Sequence, residues 1–153
     1  MADTNEPDAA GDPFNLHRFV QAQEGDYDRV LFEIKSGRKR SHWMWYIFPQ
    51  IDGLGASSTS KHYSIKSVPE AEAYLRHPVL GPRLIESAEA VLLVEGRSAS
   101  DIFGFPDDMK LRSCATLFAQ VAPPGSVFDH VLAKCFQGEP DPKTLHLLER
   151  LQS

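Results

Sequence analysis

The chain is punctuated by helix-start signals, and their spacing constrains its fold more than any other feature. Asp12-Pro13 pairs an N-capping side chain with a proline at a first helical position, where no backbone donor is needed. Asp26 follows a break at Gly25, Ser67-Val-Pro-Glu70 has the spacing of a capping box, and Ser98-Ala-Ser-Asp101 opens a short helical turn. Pro106 with Asp107 and Asp108, then Ser126, then Asp141-Pro142, mark three further starts. Between these signals apolar residues recur at helical intervals, as in Phe14, Leu16, Phe19 and Val20, and in Tyr27, Val30, Leu31 and Ile34. The first two segments, divided by Gly25, read as an antiparallel pair. The pattern predicts a mostly α protein: a compact single-domain bundle of about seven helices with little or no β-sheet.

Composition narrows the class. With 153 residues, 42% hydrophobic and 24% charged, the chain can bury a core unaided. A formal net charge of −5 argues against nucleic acid as a partner, because that affinity needs a basic excess. The first residues, MADTNEPDAAGD, are acidic and small and lack a signal-peptide pattern. We therefore expect a disordered leader over 1–11 and one helical domain over 12–152. No run approaches the ~18 apolar residues of a membrane span, so no membrane is expected and a cytoplasmic location follows. Cys114 and Cys135 lack CxxC spacing and read as small buried hydrophobes. The six histidines form no HExxH pattern, so neither metal nor cofactor is expected.

One stretch calls for more than a fold. In GRKRSHWMWYIFPQIDGLG, residues 37–55, three cations run into a histidine and both tryptophans of the chain. WMWYIF suits a strand by composition, yet no partner strand is evident, and Ser41 can cap a short buried helix ending before Pro49. The following QIDGLGASSTS reads as a Gly/Ser/Thr loop of a length that is often functional.

Five segments carry a family resemblance: DPFNLHRFVQAQ, the tryptophan stretch itself, AYLRHPVLGPRL, DIFG and DDMKLRSCATLFA. Together they resemble a bacterial family catalogued as domain of unknown function 1810, over about residues 12 to 150. The resemblance implies a compact, mostly α-helical domain and brings no assigned activity or catalytic residue. Some members carry the label "calpastatin", which implies a disordered protease inhibitor. The aromatic, capped character of this chain contradicts that label.

Three constellations can carry chemistry. In the first, Arg38, Lys39 and Arg40 offer donors to an anion, while Trp43 and Trp45 offer faces for a ring. His42 shares a helical face with Trp45 and can serve as acid or base. The bland alternative makes both tryptophans core and leaves the cations as a solvated helix end. In the second, Gln50, Gly53, Gly55 and Ser57 to Ser60, with Lys61, His62 and Tyr63 beyond, can border the same cleft. No P-loop or dinucleotide spacing accompanies them. In the third, Asp108 can act as acid, base or acceptor, while Lys110 and Ser113 lie three apart toward a cleft. Carboxylates at a helix start have a capping role as the alternative reading. His77, beside Pro78, reads as a turn or cap residue.

Two functional readings follow. The first is a pocket for an anionic, phosphorylated or nucleotide-like small molecule, with NAD- and ADP-ribose-related compounds as candidates, in an enzyme or a specific binding domain. Its catalytic candidates are His42 and Asp108. Its ligand-binding candidates are Arg38, Lys39, Arg40, Trp43, Trp45, Gln50, Ser57, Tyr63, Lys110 and Ser113. The second is a non-catalytic protein-interaction module anchored by the Trp-rich segment, since Trp and Arg dominate interface hot spots. Indoles lining a pocket favour the first reading, and indoles on a flat patch favour the second.

Overall fold

The computed structural model describes residues 11–152. The expected leader, Gly11 apart, lies outside these described residues. Ten α-helices follow in chain order: α1 (His17–Gln23), α2 (Tyr27–Lys35), α3 (Met44–Ile47), α4 (Ser58–His62), α5 (Val68–Arg76), α6 (Leu80–Leu93), α7 (Ala99–Phe103), α8 (Asp107–Val121), α9 (Val127–Phe136) and α10 (Pro142–Gln152). The count is ten rather than about seven because α3, α4 and α7 have only four or five residues. Elements that short complete hardly more than one turn and leave no apolar period to read. No strand occurs among the described residues; a lone parallel bridge joins Ile51 to Ile65.

The long helices α6 and α8 form the middle of the bundle, and α5 and α9 each pack against both. The expected pairing of α1 with α2 gives way to other partners, since α1 packs chiefly on α3 and α2 on α6. One position makes the α5–α6 junction possible. A Cβ on Gly81 would lie 2.1 Å from the Leu75 carbonyl oxygen, so only glycine permits the approach. The core is continuous, with Phe19, Tyr74, Phe118 and Phe128 in successive ring contacts of 5.1, 5.4 and 5.6 Å. Cys114 is buried and Cys135 half-buried, both as free thiols whose titration burial pushes up.

The caps follow the sequence signals with local shifts. Asp12 accepts from the backbone N–H of Leu16 at 2.7 Å and His17 at 2.9 Å, across a turn in which Asn15 takes φ 54°. Helix α1 thus begins four residues later than the Asp12-Pro13 signal suggests. Ser98 and Asp101 form a complete capping box. His77 caps α6 through Nδ1, which accepts from Val79 N–H at 3.1 Å and Leu80 N–H at 3.2 Å. Burial lowers its pKa, which suits a nitrogen that must stay unprotonated to accept.

At Ser67 the box is half-formed. The hydroxyl accepts from Glu70 N–H, but the Glu70 carboxylate turns to Lys66 N–H at 2.8 Å and to Arg18 at 2.7 Å. Arg18 satisfies the carbonyls of Phe14, Asn15, His62 and Ser64 as well, and its guanidinium rests 4.3 Å from the Phe19 ring centroid. One cation therefore ties the start of α1, the end of α4 and the start of α5. Removing it strands a carboxylate that is only 2% exposed. Arg18→Ala should lower unfolding free energy by about 3 kcal/mol or more, measured by urea denaturation. Arg18→Lys should recover only part, because an ammonium has three donors for five acceptors.

Candidate functional site

The cation–aromatic stretch is organised by a residue outside it. Glu33, on the buried side of α2 between Val30 and Ile34, is 4% exposed. Its Oε1 accepts from Arg40 N–H at 2.8 Å, Ser41 N–H at 3.1 Å and the Trp43 indole N–H at 2.8 Å. Its Oε2 accepts from the Ser41 hydroxyl at 2.6 Å. Burial opposes the charge, but donation from the Ser41 hydroxyl, Arg40 backbone, Trp43 indole and Ser41 backbone outweighs it and holds the carboxyl down at about 2. Ser41 thus serves Glu33 and does not cap α3, whose capping position is Trp43. Gly37, at φ 83°, turns the chain out of α2 so that it can fold back over this carboxylate.

Trp43 points into the core with no exposed surface, against Phe48 and Phe103 at 6.3 and 6.2 Å. The Lys39 residue is half-buried, with a side chain only 7% exposed. Its ammonium pairs with Asp107 at 2.9 Å, 5.1 Å from the Trp43 ring centroid, and its N–H donates to the Ile102 carbonyl at 2.7 Å. Asp107 also pairs with Lys110 at 3.4 Å, and Lys110 sits 5.3 Å from the ring centroid of the half-buried Trp45.

On from Trp45, the 50–65 segment closes on itself. The Ile51–Ile65 bridge is its neck, with Ile65 N–H donating to Gln50 O and Asp52 N–H to Ile65 O, both at 2.8 Å. The expected loop thus contains α4, whose N-cap hydroxyl on Ser57 accepts from Ser60 N–H at 3.0 Å. A compact loop with joined ends is a common carrier of function. Between it and α3 lies a slot lined by Trp45, Gln50, Gly53, Gly55, Ser60, Tyr63 and Ser64. Its free volume is about 10 Å³, the size of one water. The Trp45 indole N–H, the Gln50 carboxamide and the Tyr63 hydroxyl have no hydrogen-bond partner among the described residues. Tyr63 also borders an open recess of about 570 Å³ with Tyr46, Ser58, Thr59 and His62. There the rings of His62 and Tyr63 meet edge to face at 4.6 Å.

A family model described as "Protein of unknown function (DUF1810)" matches residues 13–148. The chain belongs to that family. This DUF1810 chain is also similar to the crystal structure of the conserved hypothetical protein Rv1873 from Mycobacterium tuberculosis. The two are 50% identical with a TM-score of 0.88, over 90% of this chain and 99% of the other. No curated protein matches it.

The sequence candidates of this DUF1810 protein separate into groups. Trp45, Gln50 and Tyr63 come together at the slot, with Lys110 over the Trp45 ring. Ser57 caps α4 and bonds the Ser60 hydroxyl at 2.9 Å. Trp43 and Lys39 belong to the core and its ion pair. Ser113 does not share the Lys110 setting: it is buried, donating to Met109 O and Asp141 at 3.1 Å each. Arg38, Arg40 and His42 are exposed, and their side chains meet no partner among the described residues. Asp108 lies in the first turn of α8 and accepts from its neighbour Met109 N–H at 2.8 Å, and α8 has no side-chain cap. Neither His42 nor Asp108 lines the slot or the recess. No group of three or more His, Cys, Asp or Glu among the described residues is arranged to hold a metal.

Glu33 and Arg18 went unnoticed in the sequence. The signal for Glu33 was a carboxylate set into the buried stripe of Val30 and Ile34; nothing in the sequence marks Arg18 as five-fold engaged. Because the Glu33 pKa is lowered by folding, its contribution is fully present above pH 4.5 and lost as pH falls toward 2. Glu33→Gln should cost about 2–3 kcal/mol near neutrality. Urea titrations should show wild type and variant converging across that acid window.

Proposed function

We propose that this protein recognises a small anionic molecule at the Trp45–Gln50–Tyr63 slot, with the body of the ligand in the adjoining recess. One observation carries the reading: Trp45, Gln50 and Tyr63, from two neighbouring segments, line one slot, and their indole N–H, carboxamide and hydroxyl make no hydrogen bond among the described residues. All three can donate, so the complementary group is an acceptor, such as an oxygen of a phosphate or carboxylate. The slot has room for one such oxygen. The recess offers His62, Tyr63 and Tyr46 to a ring, which suits a nucleotide-like compound in the NAD or ADP-ribose class. Lys110, facing Trp45, adds positive charge nearby.

The neighbouring cations contribute less than their number suggests. Arg18 spends its donors on protein acceptors, and the Lys66 ammonium donates to Lys61 O, Ser64 O and Ser64 Oγ. His62 remains exposed at the recess. With His42 and Asp108 away from both hollows, the reading is recognition rather than catalysis, and it is set in the cytoplasm. No helix among the described residues is long and apolar enough to cross a membrane.

Thermal shift against phosphate, sugar phosphates, nucleotides and NAD-related compounds tests the proposal. At ligand concentrations about a hundredfold above Kd, the melting temperature should rise by roughly 4 °C or more. Trp45→Phe, which removes the indole donor and leaves a smaller aromatic ring, should abolish most of the rise, as should Tyr63→Phe, which removes only the hydroxyl. A rise of equal size in both variants, or none with any anion, would refute the slot.

A further inference from the structure

The slot leaves unused the most exposed part of the tryptophan stretch, residues 37–55. Arg38, Arg40 and His42 project into solvent with no partner among the described residues, yet the backbone beneath them is fixed. Glu33 holds the N–H groups of Arg40 and Ser41, and Lys39 pins the turn to Ile102 and Asp107. That second attachment brings the turn beside the α7–α8 junction, where Phe105 is 82% exposed and Met109 38% exposed. A phenylalanine so placed gains nothing from the fold, because its ring remains in water. The charges of the neighbourhood favour an acidic visitor. Arg38, Lys39, Arg40, Arg97 and Lys110 stand against Glu33, Asp101, Asp107 and Asp108; Asp107 is shared by two lysines, and Arg38 and Arg40 are the cations left without a partner among the described residues.

We propose that the Arg38–Arg40 turn and the Phe105–Met109 junction together form a docking surface for an acidic segment of a partner protein carrying an apolar anchor. Arginine forks take the carboxylates, and the exposed ring and thioether take the anchor. The held turn lowers the ordering entropy that binding must overcome. An acidic peptide is favoured over nucleic acid, because two arginines beside an exposed ring match a short acidic and apolar segment, whereas nucleic acid needs an extended basic surface that a chain of net charge −5 lacks. The surface shares Lys110 with the setting of the Trp45 slot and none of the slot's lining residues.

Selection of a random dodecapeptide phage library against the intact protein tests this surface. Enriched peptides should combine Asp or Glu with an aromatic or aliphatic residue. Fluorescence anisotropy of the leading peptide should show at least tenfold weaker binding to Arg38→Glu/Arg40→Glu, and likewise to Phe105→Ser. All three side chains are solvent-facing, so these variants should melt with wild type, and Trp45→Phe should bind the peptide normally. Enrichment with no acidic bias, or affinity unchanged in both variants, would overturn the proposal. So would tighter binding of a single-stranded oligonucleotide that the same variants lose. A concentration-dependent dimer abolished by Phe105→Ser would assign the surface to a second copy instead, and would also overturn it.

Discussion

A single buried carboxylate sets the arrangement of the segment that carries both tryptophans. Glu33 lies where α2 faces the core, and an ionised group there survives only when its oxygens are fully engaged. The chain meets that requirement by turning back at Gly37 and delivering two backbone N–H groups, a hydroxyl and an indole N–H. The turn satisfies the charge, and the charge fixes the turn. Everything that follows, from the buried Trp43 to the half-exposed Trp45, inherits its orientation from that exchange.

The consequence is a division of labour among residues that look alike in sequence. Trp43 donates inward and fills the core beside Phe48 and Phe103, while Trp45 lies at the surface beneath a lysine. Lys39 becomes part of a half-buried ion pair, whereas its neighbours Arg38 and Arg40 stay in water. The same segmentation holds around α4. Arg18 and Lys66 look like anion ligands by charge, but both are consumed in closing the loop neck and the start of α5. What stays available is a smaller set: an indole, a carboxamide and a phenol on one side, and two arginines with an exposed phenylalanine on the other.

Much of the helical architecture was legible because capping chemistry is local. Ser67 and Ser98 reach only three residues ahead, so a sequence of four residues suffices to announce the helix. The Asp12 signal was right in chemistry but displaced in position, since the carboxylate caps across a left-handed turn at Asn15. Helix α4 was read as loop because Ser, Thr and Gly favour turns until a neck of two isoleucines closes the segment. Of the candidate site, Trp45, Gln50 and Tyr63 were identified from one aromatic run and the loop after it. Ser113 was misplaced because a spacing of three on a helix says nothing of what packs against it, here Asp141 at the start of α10.

By itself the sequence determined the helical class, the places where most helices start, and the family to which the chain belongs. Each of these depends on interactions within a few residues or on patterns that persist along the chain. Only the tertiary structure decided which tryptophan is core, which cations are free and which donors remain unpaired. Those outcomes depend on acceptors far away in sequence, such as Glu33 for Trp43 and Glu70 for Arg18, and on the carbonyls that a closed loop presents. A polar group's availability is what remains after folding has taken its share of hydrogen bonds, and no local pattern encodes that remainder.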